Sequence, residues 1–230
     1  MTFFAGGDRS KLPAHRRAAW NVGDVLREII DRLVDTRATT DDLEAITIEL
    51  GAVADRLRQF KHGRRYDSYS EASVVSGDQG LSEQGPPSGH VDFSPLFGRA
   101  NPLAPPMEFS VEGDMVCASV VFGHAYEGPP GHVHGGIVAA AFDELLGATQ
   151  ALSGSPGMTG QLSVSYRAPT PLHVPLRFES TLDSVEGRKI TTSARLYAGE
   201  TLCAEARGLF ISVDFAKIAS MRADRDDKDE

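Results

Sequence analysis

Apolar residues in the first quarter of the chain recur with helical spacing. Two stripes are present, one between residues 16 and 35 and one beginning near residue 40. The first consists of Val22, Leu26, Ile29 and Leu33. The second, with a period of 3.5 residues, consists of Leu43, Ile46, Leu50, Val53, Leu57 and Phe60. Thr39 or Thr40 can cap the second helix. We predict two helices paired as a hairpin and packed on the rest of the chain, with a partner interface as the alternative.

After residue 90 the pattern changes from helical to alternating. MEFSVEG and DMVCASVVFG alternate as strands do, and the run from Gly135 to Leu152 is apolar on nearly every face and too long for a strand. Four further strand segments are QLSVSYRA, VPLRFESTLDSV, KITTSARLYA and TLCAEARGLFISV. Tight-turn signals at Glu186-Gly187 and Gly199-Glu200 predict that the last three strands form an antiparallel meander. This order predicts an α+β fold in which one sheet wraps around a buried helix.

Composition divides the chain into four parts. The segment SGDQGLSEQGPPSGH is rich in Gly, Ser and Pro and reads as a linker. We therefore predict an N-terminal helical hairpin in residues 1–75, a linker in 76–90, a main domain in 91–217 and a disordered, charged tail in 218–230.

Charge and hydropathy restrict the function. The net charge of −9 disfavours nucleic-acid binding, which needs a basic surface. No apolar run approaches the roughly 20 residues of a membrane span, and the N-terminus lacks the apolar core of a secretory signal. We expect a cytoplasmic protein without a membrane span.

One motif in the central helix, GHVHGGIVAAAFDELLG, combines glycines, histidines and a carboxylate inside an apolar run. A carboxylate there loses hydration on folding, which costs several kcal/mol unless it is compensated. His134-Gly135-Gly136 followed by Asp143 resembles the HGG motif and catalytic acid of the hotdog-fold acyl-CoA thioesterase superfamily, in the group of the phenylacetate-pathway thioesterase. Thr159, QLSVSYRAPTPLHVPL and LDSVEGRK further resemble thioesterases of the carboxyl-terminal modulator protein type. The likeness covers about residues 92 to 215.

The resemblance implies a hotdog fold and the hydrolysis of medium- to long-chain acyl-CoA thioesters in fatty acid metabolism, without a metal or organic cofactor. Asp143 would attack the thioester or activate water, and Thr159 would help to position the attacking water or the carboxylate. The amide of Gly135 or Gly136, after His134, would polarise the carbonyl. The residues expected near coenzyme A are Ser165, Arg167, Arg188 and Lys189. Because Glu144 follows Asp143 directly, the choice of Asp143 depends on motif register. A tunnel between helix and sheet is expected to be lined by Ile137, Phe142 and Leu146.

The spacing of the motif also predicts an assembly. Gly135 and Asp143 lie eight residues apart, about 12 Å along a helix, so one thioester cannot touch both. A twofold homodimer with antiparallel helices would bring the glycine of one chain to Asp143 of the other, and a dimer of dimers is left open. Small residues, Ala139, Ala140 and Gly147, would allow close approach.

Three alternatives follow from the same residues. His132 and His134 form an HxH pair that can bind metal on a strand, but here the pair leads into a helix and lacks a nearby third ligand. A noncatalytic acyl-CoA-binding or regulatory protein is the main alternative to an enzyme. A hydratase or dehydratase is disfavoured because the expected His and acid motif is not found.

Overall fold

A computed structural model describes residues 9, 12–60, 90–112, 114–155 and 157–213. The predicted tail and nearly all of the predicted linker lie outside these residues. Three α-helices are described: α1 (Ala14–Val34), α2 (Thr40–Arg58) and α3 (Gly135–Gln150). Short 3-10 helices span His90–Phe93, His124–Tyr126 and Ala151–Ser153. The strands are β1 (Glu108–Glu112), β2 (Met115–Val120), β3 (Gly157–Tyr166), β4 (Leu176–Glu186), β5 (Lys189–Ala198) and β6 (Thr201–Ser212).

The six strands form one antiparallel sheet in the order β1-β2-β4-β5-β6-β3. The predicted meander of β4, β5 and β6 is confirmed, and its two turns contain Gly187 and Gly199 with φ of 61° and 56°. Glycine adopts these left-handed conformations without the steric cost that a Cβ brings. The chain enters α3 after β2 and returns through β3 to the sheet edge beside β6. This is the predicted hotdog architecture of a sheet wrapped around one helix.

The core lies between α3 and the sheet face that it covers. Helix residues Val138, Phe142, Leu145 and Leu146 are buried, and Phe142 meets Phe178 of β4 edge to face at 5.3 Å between ring centroids. Aromatic pairs favour this geometry. Since Phe142 and Leu146 are fully buried in this packing, the prediction that they line a tunnel is wrong.

Helix α1 packs on the main domain through polar and small residues. Arg16 donates two hydrogen bonds to the buried carboxylate of Asp92, at 2.6 and 2.9 Å. Arg27 donates to the carbonyl of Asn101 at 2.8 Å, and Asp31 accepts from the amide of Ala125 at 3.0 Å. Gly23 is buried at the closest approach, where a Cβ would lie 2.7 Å from a backbone oxygen. The predicted packing of this helix on the domain is confirmed.

Helix α2 begins at a capping box and buries none of its residues. Thr39 is the N-cap, and its side chain and backbone exchange hydrogen bonds with Asp42. Along the predicted seam, Val53, Leu57 and Phe60 are 51%, 56% and 63% exposed. The prediction that this seam closes against α1 in a hairpin is therefore wrong for the single chain. None of the helices in the described part of the chain is long and apolar enough to cross a membrane.

Candidate functional site

The N-terminus of α3 is organised by His134. The amide of Gly136 donates to Nδ1 of His134 at 3.0 Å, which makes His134 the N-cap of the helix. The amide of His134 in turn donates to the carbonyl of Tyr126 at 2.9 Å. An Nδ1 that accepts a hydrogen bond bears no proton, so a neutral His134 has its proton on Nε2. The Gly135 amide, at the first position of α3, has no hydrogen-bond partner among the described residues.

The two histidines of the motif have separate partners. Nδ1 of His132 lies 2.9 Å from the carbonyl of Pro130, within the turn that leads to the helix. His134 instead caps α3. The loop therefore uses the two rings locally, each with a backbone partner.

Tyr166 fixes the glycine at the start of α3 and was missed by the sequence analysis. Its hydroxyl donates to the carbonyl of Gly135 at 2.6 Å, and a Cβ at position 135 would lie 3.3 Å from that hydroxyl. The alternation in QLSVSYRA, which places residues 162, 164 and 166 on one strand face, was the available signal. Tyr166 thus ties the end of β3 to the helix start.

Asp143 and Thr159 are brought together by the packing of α3 on β3. The Thr159 hydroxyl donates to Oδ1 of Asp143 at 3.0 Å. A bulge produces this contact, because Thr159 pairs with Phe210 and Gln161 pairs with Leu209, leaving the intervening residue unpaired. In a regular strand Thr159 and Gln161, two positions apart, would point to the same face, and the bulge places them on opposite faces. The bulge turns the hydroxyl towards the helix.

Glu144, the residue after Asp143, has a raised pKa. Burial, with a further contribution from the charge of Asp143, raises the pKa of Glu144 from 4.5 to about 7. Its neighbour Asp143 is half-buried and has the Thr159 contact. Of the two adjacent acids, Asp143 is the one whose carboxylate is held by the Thr159 hydroxyl.

The helix start and the carboxylate remain apart within one chain. Helix α3 is continuous from Gly135 to Gln150, so Gly135 and Asp143 are separated by about 12 Å along its axis. Tyr166 contacts the Gly135 end and Thr159 contacts the Asp143 end, which shows that α3 and β3 run in opposite directions. One chain thus presents two half-sites at the two ends of the β3 edge.

The four residues expected near coenzyme A occupy two different regions. Ser165 pairs with Glu205 on the sheet face opposite α3, and Nε of Arg167 donates to Glu205 at 2.8 Å. A polar groove of about 480 Å³ on that outer face includes Ser165 but lies across the sheet from Asp143. The structure therefore does not bring Ser165 and Arg167 to the Asp143 half-site.

Arg188 and Lys189 lie at the same sheet end as Thr159. Lys189 pairs with Ile211, which pairs with Met158 next to Thr159. Two strand spacings separate them, about 10 Å. Nε of Arg188 donates to the carbonyl of Ser212 at 3.1 Å, and both basic residues are exposed. This turn is a cationic surface within reach of the Asp143 half-site.

A cavity of about 520 Å³ lies between α1 and the start of α3. Its lining is mostly apolar and includes Ile30, Leu103, Val121, Tyr126 and Ile137. Ile137 is two residues from Gly135 and is the only predicted tunnel residue that lines this cavity. The apolar space near the site is therefore at the helix N-terminus, with α1 forming one wall.

Comparison with known proteins agrees with this architecture. The thioesterase superfamily matches residues 130–205. A crystal structure of a thioesterase superfamily protein superposes with a TM-score of 0.71 at 34% identity, covering 84% of this chain and 94% of that one. The chain belongs to the thioesterase superfamily. It is also 39% identical over 90 residues to acyl-coenzyme A thioesterase THEM4 of Mus musculus and 37% identical over 89 residues to that of Xenopus laevis. These matches cover 38% of this chain and 39% and 40% of the two relatives.

Proposed function

We propose that this protein hydrolyses acyl-CoA thioesters to a free carboxylic acid and coenzyme A. The main observation is the Thr159–Asp143 hydrogen bond on a helix whose first amide, that of Gly135, has no hydrogen-bond partner in the part of the chain that the structure describes. Similarity to proteins described as acyl-coenzyme A thioesterases supports the proposal, although the matched region is about 40% of their length.

The proposed chemistry uses the two ends of α3. The Gly135 amide donates to the thioester oxygen, where negative charge develops and where the helix dipole also favours it. Gly136 cannot do this without losing its bond to His134. Asp143 either takes a proton from the attacking water or attacks the carbonyl carbon itself, and Thr159 holds one carboxylate oxygen so that the other faces the substrate. In the first route the hydroxide adds to the carbonyl carbon, the C–S bond breaks, and the proton held by Asp143 passes to the leaving thiolate. In the second route the C–S bond breaks as a mixed anhydride forms on Asp143, and water then hydrolyses this anhydride, releasing the free acid, restoring the carboxylate and supplying the proton that the thiolate takes up.

The reacting group needs both ends at once, so we propose that a twofold homodimer builds two composite sites. β3 is an edge strand whose residues are mostly exposed, and an unprotected edge of this length is suited to pairing with another chain. Antiparallel pairing of two such edges places the Gly135 end of one chain beside the Asp143 end of the other. Ala140 and Gly147, both small and half-buried on α3, leave room for the second helix.

The two ends of the substrate would lie in different surroundings. Arg188 and Lys189 offer positive charge for the phosphates of coenzyme A. The cavity of about 520 Å³ beside Ile137 has the size and apolar lining of a ligand pocket, and we propose that it accepts a medium- to long-chain acyl group.

The test is a panel of acyl-CoA esters from short to long, with thiol release measured for the native protein, Asp143→Asn and Glu144→Gln. We expect Asp143→Asn to lose at least about 100-fold in turnover, because the general base or nucleophile is removed while shape is kept. Glu144→Gln, the matched control on the next residue, should retain most of the activity. Equal rates for the native protein and Asp143→Asn would overturn the role of Asp143. Tight binding without thiol release by the native protein would favour the noncatalytic alternative.

A further inference from the structure

Helix α2 presents a regular apolar seam that no other element in the described part of the chain buries. Leu43, Leu50 and Leu57 occupy the first position of three heptads, and Ile46, Val53 and Phe60 occupy the fourth. No residue of α2 is buried. A helix of 19 residues gains most of its stability from tertiary packing of its apolar face. Burial of this seam against another apolar surface would therefore stabilise α2.

The charges beside the seam match a second α2 in the antiparallel direction. Acidic residues are concentrated in the first half of the helix, including Asp41, Asp42 and Glu49, and the last turn contains Arg56 and Arg58. If Leu50 of one copy is set against Val53 of the other, Ile46 meets Leu57, and Phe60, which follows the end of α2, comes next along the chain towards Leu43. Glu49 then lies opposite Arg56 of the second copy, and symmetry repeats the pair. A parallel pair instead sets Glu49 beside Ala54, with no opposite charge.

From this match we propose that α2 pairs with α2 of a second copy of this chain as an antiparallel two-helix coiled coil. Both Glu49 and Arg56 are exposed in the single chain and are available for this contact. Antiparallel helices satisfy a twofold axis, so the contact is closed and uses the same surface on both copies. The small residues Thr47 and Ala54 flank the other side of the seam and allow the helices to approach.

Disulfide trapping tests the pairing and its direction. The full-length chain with Glu49→Cys and Arg56→Cys, in a Cys117→Ser background that leaves only the buried Cys203, is oxidised mildly and run on a non-reducing gel. Positions 49 and 56 of one helix are about 10.5 Å apart, beyond the reach of a disulfide of about 7 Å between Cα atoms. We therefore expect a covalent dimer, because each cysteine meets its counterpart on the second copy.

The matched control is Glu44→Cys with Arg58→Cys in the same background. These positions lie at matching heights in the antiparallel pair but face away from the seam, so they should leave the chain monomeric on the gel. Equal trapping by both variants, or none by either, would overturn the proposal. The latter result would be expected if α2 folded back onto α1 of its own chain. Neither variant alters Asp143, Thr159 or Gly135, so thiol release tests the proposed enzymatic function separately.

Charge exchange gives a second readout by sedimentation equilibrium on the reduced protein. Arg56→Glu should raise the dissociation constant of one self-association step several-fold, because it sets two acidic residues against each other. Adding Glu49→Arg should restore that step, since the exchanged pair attracts again. A double variant that associates as weakly as Arg56→Glu alone would contradict the pairing.

Discussion

At the scale of single residues, two neighbouring carboxylates on α3 differ because of what surrounds them. Asp143 meets the hydroxyl of Thr159, which stabilises a charged carboxylate by donating to it. Burial raises the pKa of Glu144 to about 7, and a negative Asp143 beside it acts in the same direction. Adjacent positions on one helix therefore present an acid positioned for chemistry and an acid that holds its proton near neutral pH.

The raised pKa of Glu144 predicts how stability changes with pH. Because the folded state binds this proton more tightly than the unfolded state, the contribution of Glu144 is most favourable below pH 4.5 and is lost as the pH rises to about 7. The full loss is on the order of 3 to 4 kcal/mol. Glu144→Gln should remove this slope, so that the variant is more stable than the native protein at pH 8. Urea unfolding at pH 5 and pH 8 measures both; an unchanged slope in the variant would contradict the assignment.

The Thr159 hydroxyl is expected to act on turnover more than on binding. Thr159→Val keeps the shape of the side chain and removes the donor to Asp143, and a hydrogen bond to a charged group is worth about 1.5–3 kcal/mol. We expect kcat to fall by about 10- to 100-fold with little change in KM. Thr159→Ser, which keeps the hydroxyl, is the control and should retain most of kcat. A fall in both variants alike would assign Thr159 to packing.

At the scale of elements, the attachment of α1 depends on a buried ion pair. Asp92 is 4% exposed and its carboxylate accepts two hydrogen bonds from Arg16, so removing Arg16 takes away the cation that pairs with a buried charge. Arg16→Ala should lower the free energy of unfolding by about 3 kcal/mol. Arg58→Ala, which removes an exposed pair with Asp55, should cost less than about 1 kcal/mol. Urea unfolding at one protein concentration measures the free energy lost in each variant. Equal losses would mean that the buried ion pair stabilises the fold no more than the exposed one.

Periodicity was sufficient to predict the elements but not their partners. Alternating residues located the strands, and the uniformly apolar run located α3, because both patterns follow from burial against one sheet. The orientation of Thr159 was not predictable, since it depends on an unpaired residue at a bulge that alternation does not reveal. The contacts of α1 were equally hidden, because Asp92 and Asn101 lie in irregular segments far away in sequence. Phe142 and Leu146 were misassigned because apolar residues that line a tunnel and those that fill a core look the same in sequence.

At the scale of the whole molecule, the proposed site follows from the reach of a rigid helix. The amide of Gly135 and the carboxylate of Asp143 are held about 12 Å apart by the continuous turns of α3. A thioester must meet donor and base within about 3 Å of each. Catalysis by this pair would therefore require two chains. The requirement can be tested with variants that each retain only one of the two groups, the Gly135 amide or the Asp143 carboxylate.

Two inactive variants should restore each other when they share a dimer. Gly135→Pro removes the amide hydrogen at the first helical position, where proline is tolerated and where His134, with ψ of 131°, already has the extended backbone that precedes proline. Asp143→Asn removes the base. In a mixed dimer one site has the intact Gly135 of the Asp143→Asn chain and the intact Asp143 of the Gly135→Pro chain, while the other site has neither. Unfolding and refolding an equal mixture makes half of the dimers mixed, so thiol release should recover to about one quarter of the native rate. Each variant refolded alone is the control. A mixture no more active than its components would contradict the proposal that Gly135 of one chain and Asp143 of another act on the same thioester.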